Sequence, residues 1–98
     1  MGRKLWVFLL GMCLLLSFTS GCVYYQAEKE MKDTQALINE LKAQGGDKVV
    51  PYEYTSAEKL LEVSRLEFDE YDYKAAKNFA IRAKSAAQAG LSEVQKKK

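Results

Sequence analysis

The sequence predicts an all-α protein, a small three-helix arrangement in which a long first helix lies beside a tight antiparallel helical hairpin. Three observations predict it. Tyr24, Ala27, Met31, Thr34, Ile38 and Leu41 recur at alternating three- and four-residue steps, with Leu37 widening the stripe, which is the spacing of one buried helix face. Thr55 and Glu58 stand in the capping-box relation that opens a second helix. Beyond Asp72 a run of small residues, Ala76, Ala80, Ala83, Ala87 and Gly90, marks the inner face of a third helix that can approach its neighbour closely.

The chain begins with Arg3 and Lys4, then an unbroken apolar run from Leu5 to Leu16, then small residues ending in Gly21-Cys22. This is the three-part build of an export signal. The run is shorter than the roughly 20 apolar residues that span a hydrocarbon core. Residues 1–21 therefore read as a leader and residues 22–98 as one small helical domain: a helix over about 23–44, a connector over 45–54, helices over about 56–69 and 73–89, and a frayed basic tail over 91–98.

Gly45-Gly46 is expected to end the first helix, because glycine takes the left-handed conformation common at helix C-termini. The connector is too apolar for a free linker, and Val50 is biased to an extended shape by Pro51. It should cross and cover the helix ends. The second helix carries Ala57, Leu60, Leu61, Ser64, Phe68 and Tyr71 as its buried stripe and breaks within Asp69 to Asp72, where Asp72 caps the next helix. Tyr73 and Phe79 join the alanines on the third helix's inner face, with Lys77 outside. Gly90 is expected to weaken or end that helix, leaving the tail to fray.

Composition bounds function. Removing the leader takes away Arg3 and Lys4, which brings the 15 basic residues to parity with the 13 acidic ones, so no positive surplus invites nucleic acid. Cys13 would leave with the leader, so no disulfide can staple the body. Histidine is absent, and with it the commonest general base and metal ligand. No nucleophile has an identifiable base and the carboxylates lie mixed with lysines on helix faces, so the reading is no enzyme, no cofactor and no metal.

Thr19-Ser20-Gly21-Cys22 resembles the lipobox of bacterial lipoprotein signals, with Thr19 standing where that motif usually carries leucine. The resemblance implies that Cys22 is acylated and becomes the new N-terminus, with cleavage between Gly21 and Cys22. It implies attachment to a membrane through the acyl chains on Cys22 and, in a Gram-negative host, sorting to the periplasmic face of the outer membrane, because Val23 rather than aspartate follows. An ordinary signal peptide or an uncleaved anchor with an incidental Cys22 is the alternative. Tyr24 and Tyr25, directly after the cysteine, suit either a headgroup layer or simply a first helical turn.

Two further resemblances attach to the body. Tyr71-Asp72-Tyr73-Lys74-Ala75-Ala76 followed by Ala80 looks like the turn and second helix of a tetratricopeptide unit, but one unit builds no solenoid groove. Pro51-Tyr52-Glu53-Tyr54, Ala57, Leu61, Tyr71-Asp72-Tyr73, Ala76, Ala80 and Ala83 are similar to a family of short bacterial lipoproteins whose alanine-rich helical domain also occurs ahead of OmpA-like domains. The functional expectation is a non-enzymatic structural or scaffold component of the cell envelope. The alternative is a peptide- or lipid-binding module using the hairpin and the connector at 49–54. Partners would be peptidoglycan, another envelope protein or a second copy of the chain. Lys96, Lys97 and Lys98 are the candidates for contact with the wall or an anionic surface. A C-terminal lysine after a lipidated start also resembles the wall-linked lipoproteins, which join that amine to peptidoglycan. The plain reading of the three lysines is a solvated end.

Overall fold

The computed structural model describes residues 2–98, the side chains of 13–21 excepted. Among the described residues the chain is helical throughout: α1 spans Gly2–Ala43, α2 Gly46–Val49, α3 Pro51–Asp69 and α4 Tyr73–Lys96. The long first helix and the antiparallel hairpin of α3 and α4 are both present. α1 is longer than the body requires, since it runs without a break from the apolar N-terminal stretch into the body.

The part of α1 inside the body buries Ala27, Thr34, Ile38 and Leu41, with Met31 and Leu37 half-buried beside them. That is the seam read from the sequence, except that Tyr24 keeps 42% of its surface exposed. The helix stops where two glycines make stopping cheap. Gly45 takes φ 81°, a left-handed turn in which its N–H donates to the Lys42 carbonyl at 2.9 Å.

The connector differs from expectation. Residues 45–54 are not a loop: Gly46–Val49 forms the short α2, Val50 takes φ −130° and ψ 64°, and α3 starts at Pro51. Proline explains the early start, because its ring presets the helical φ and its missing N–H is not needed in a first turn. Thr55 and Glu58 therefore lie inside α3 and do not cap it. Glu58 instead engages Tyr54: the hydrogen bond to its carboxylate comes first, then lost solvation and the nearby Glu58 and Asp47 charges, together pushing the Tyr54 hydroxyl up to about 12.

α3 buries Ala57, Leu61 and Ser64, and Leu60 and Phe68 are half-buried. The break falls where it was expected. Asp72 caps α4 by accepting from the Ala75 N–H at 3.1 Å. Tyr71 does not belong to the buried stripe: it sits at φ 65° in the turn and is 80% exposed.

α4 is the centre of the body and packs against both α1 and α3, which meet each other less extensively. Its buried residues are Ala76, Ala80, Ala83, Ala87, Gly90 and Val94. Steps of three and four keep them on one stripe, and their small size lets two helices approach it together. Hydroxyls from both sides then reach the α4 backbone. Thr34 of α1 donates to the Ala80 carbonyl at 3.0 Å, sharing its proton with the Glu30 carbonyl at 2.7 Å, and Ser64 of α3 donates to the Ala76 carbonyl at 2.6 Å. Lys77 is not on the outer face: it is half-buried and donates to Gln26 of α1 at 2.7 Å.

Gly90 neither ends nor frays α4, which continues to Lys96. The reason is tertiary. Gly90 is the place where Leu41 seats, and one turn later Val94 joins Leu41 and Val50 in an apolar cluster that holds the last turns down. A second cluster, Ile38, Ala57, Leu61, Ala83 and Ala87, fills the middle of the body. The hairpin makes α1 and α4 run in the same direction, with α3 returning between their ends.

Candidate anchoring site

Cys22 is exposed and unpaired on α1, between two unlike stretches of the same helix. Before it, Leu5, Trp6, Val7, Phe8, Leu9, Leu10 and Met12 point into solvent from a helix that nothing covers. After it, the buried seam begins at Ala27. The described residues thus place the thiol where the body ends and the apolar extension begins. Gly21, the other half of the expected cleavage site, and Cys13 fall within 13–21, whose surroundings lie outside what is described.

The end of the body beside Cys22 is aromatic. Tyr24 of α1 meets Phe68 of α3 at 5.1 Å between ring centroids and Tyr73 of α4 at 5.0 Å, and Phe68 meets Tyr73 at 5.1 Å. Such tilted and edge-to-face pairs complement the ring quadrupoles. Tyr71 extends the group from the turn, 6.3 Å from Tyr73, and Tyr25 is 67% exposed nearby in sequence. Sequence reasoning missed this cluster. Its trace was the placing of Phe68, Tyr71 and Tyr73 around one turn and of two tyrosines just after Cys22.

The expected surface lysines stand at the opposite end. Lys96 pairs with Glu93 at 3.6 Å on an exposed face, Lys97 donates to the Val49 carbonyl at 3.3 Å, and Lys98 is exposed beyond the helix. Because α4 runs parallel to α1, the chain leaves the body about 30 Å from Cys22, at about 1.5 Å per residue of helix.

Between α1 and α3, where packing is thinnest, a shallow cavity of about 350 Å³ is lined by Gln35, Ile38, Glu58, Leu61, Glu62 and Arg65. It has a mixed polar lining, and Arg65 crosses to Gln35 at 2.6 Å. At the connector Val50 is 3% exposed and Lys97 lies against the Val49 carbonyl, while Val49 and Tyr52 face outward. Among the described residues there is no cluster of metal-ligating side chains, and no helix is long and apolar enough to cross a membrane. No protein-family model, curated protein or solved structure matches this chain.

Proposed function

We propose that this chain is a membrane-anchored envelope lipoprotein, acylated at Cys22 and cleaved after Gly21, with a structural or scaffold role and no catalysis of its own. The observation that carries it is the position of Cys22: exposed, on the helix that leads into the body, and separated from the first buried residue, Ala27, by one short stretch. An acyl chain contributes about 0.8 kcal/mol of membrane attachment per buried CH₂, so two or more chains on this residue would hold the body at a bilayer without a spanning helix. In a Gram-negative host the destination is the periplasmic face of the outer membrane.

The closed packing of the hairpin supports the scaffold role over the binding module. α4 has its small-residue face covered by both neighbours, and the connector is folded into α2 and the first turn of α3. The cavity between α1 and α3 is shallow and partly polar, so it suits an apolar peptide or a lipid poorly. Its partners would be peptidoglycan, another envelope protein or a second copy of the chain.

Mass spectrometry of the mature N-terminus tests the reading. The expected product starts at Cys22 and carries diacylglycerol, and Cys22→Ser should accumulate as an unprocessed, unmodified precursor. A native protein with an unmodified Cys22 thiol would overturn it.

A further inference from the structure

We propose that the aromatic end of the body, Tyr24, Phe68, Tyr71 and Tyr73, is a docking surface for the zwitterionic headgroup layer of the anchoring membrane, so that the bundle stands on the bilayer instead of swinging from its lipid. The inference rests on the reading of Cys22 as the anchored residue and adds a defined orientation to it. Three observations converge on this end.

The first is continuity. α1 leaves the body here, carrying Cys22 and then the exposed apolar residues Leu5 to Met12, so whether the leader is present or has been replaced by acyl chains the hydrocarbon lies at this end. Tyr24 is about 3 Å along the helix from Cys22 at about 1.5 Å per residue, and the interfacial layer is about 5–8 Å deep on each side of a bilayer. The cluster therefore falls within that layer. Tyrosine rings with a wet hydroxyl are the side chains that favour it.

The second is Tyr71. A bulky side chain at φ 65° occupies a region where glycine or asparagine is the ordinary choice, and this one spends the strain on a ring that is 80% exposed with an edge contact to Tyr73. The backbone conformation itself closes α3, with the Tyr71 N–H donating to the Phe68 carbonyl at 3.1 Å and the Asp72 N–H to the Glu67 carbonyl at 2.9 Å, but glycine would serve that turn with less strain, and the exposed ring is what the tyrosine adds. The third is charge. Asp69, Glu70 and Asp72 are exposed around the same turn against the exposed Lys74, which leaves the turn net negative, disfavours an anionic surface and selects contact through rings with a zwitterionic one.

The test uses the full-length protein, matured in cells and reconstituted into phosphatidylcholine vesicles whose acyl chains carry bromine next to the carbonyl end, directly beneath the headgroup layer, where it is a short-range quencher of tryptophan. Trp6, the chain's one tryptophan, is first changed to Phe. Single reporters are then placed by Tyr71→Trp at the docking end and by Tyr52→Trp, also exposed, at the remote start of α3. Circular dichroism melts confirm that both variants fold. The expected result is loss of emission and a blue shift for Tyr71→Trp, with neither for Tyr52→Trp. An unquenched Tyr71→Trp, or equal quenching of both, overturns the docked orientation. A blue shift without quenching also overturns it, since the end is then covered by protein. The mass of the mature N-terminus is read on the same samples, so failure of the anchor and failure of the docking are separately visible. Quenching of Tyr71→Trp alone sustains the docking surface whichever way that mass comes out.

Discussion

A Cβ added to Gly90 would stand 2.8 Å from Cδ2 of Leu41 and 3.2 Å from Cβ of Glu53, so Leu41 and Gly90 fit as a knob and the notch that receives it. Alanine in place of an interior helical glycine ordinarily stabilises by about 0.5–1 kcal/mol. Here the added methyl meets a fully buried leucine with little room to retreat, because Gly46 also sits against it, the site of its missing Cβ lying on Leu41 Cδ1 and 2.5 Å from Cγ. Overpacking of this kind costs about 1–3 kcal/mol. Gly90→Ala should therefore lower Tm, and Gly46→Ala should lower it further. In a Leu41→Ala background the wedge is gone, and Gly90→Ala should become neutral or stabilising. Thermal melts of the four variants check the sign reversal.

Periodicity carried most of this fold, because a helix buried on one stripe writes that stripe into its sequence: Ala27, Thr34, Ile38 and Leu41 on α1, and Ala76 to Gly90 on α4, are where the spacing placed them. The misreadings came from residues with two meanings. Gly90 is a common helix terminator in isolation, yet it is a packing notch once Leu41 is known to face it. Thr55 and Glu58 satisfy the capping-box pattern, but Pro51 had already started the helix. The aromatic end is tertiary in origin: Tyr24 lies more than 40 residues from Phe68 and Tyr73, and no local pattern brings them together.

Thr34 and Ser64 bind the α4 backbone from opposite sides at Ala80 and Ala76, one helical turn apart. Each carbonyl keeps its own helical partner, so deleting a hydroxyl leaves no orphaned acceptor, and the loss should be that of one hydrogen bond. Thr34→Val and Ser64→Ala should each cost about 0.5–1.5 kcal/mol in chemical denaturation. Neighbouring sites on one helix couple, so the double variant should depart from additivity by about 0.5 kcal/mol or more. Strict additivity would mean that the two flanking helices dock on α4 independently.

The Tyr54 hydroxyl, pushed up to about 12, gives alkaline pH a residue-specific effect. The folded value lies above the unfolded one near 10. Between them the folded state binds more protons than the unfolded state, so this residue's contribution is fully present below pH 10 and is lost as pH rises toward 12. Tyr54→Phe should flatten that part of the alkaline fall in stability relative to the wild type, and Glu58→Gln should bring the hydroxyl back toward the ordinary tyrosine range. Tyrosinate absorbance titrations, paired with denaturation at each pH, distinguish the two variants. A wild-type titration in which all tyrosines ionise together would contradict the assignment.

The lysine tail is placed by the parallel course of α1 and α4. Had the hairpin returned the C-terminus to the Cys22 end, Lys96 to Lys98 would have stood beside Cys22; instead they stand at the end remote from it, beside Val49. Three readings make different demands on that position. A solvated helix end needs nothing beyond the favourable meeting of cations with a helix C-terminus, worth about 0.3–1 kcal/mol at an exposed site. Reversible attraction to an anionic surface requires that surface to lie on the side of the body away from Cys22, as a wall would if Cys22 carried the proposed anchor. Covalent linkage requires a terminal lysine amine to reach peptidoglycan, which the remote position permits. Deleting residues 96–98 separates them. The solvated end is expected, with a small loss of stability, since the Glu93 pair and the Val49 contact go, and no change in fractionation. Reversible attraction predicts that moderate salt releases wall fragments from the intact protein but finds none to release after deletion. Covalent linkage predicts that boiled, detergent-washed sacculi retain the intact protein and lose the truncated one.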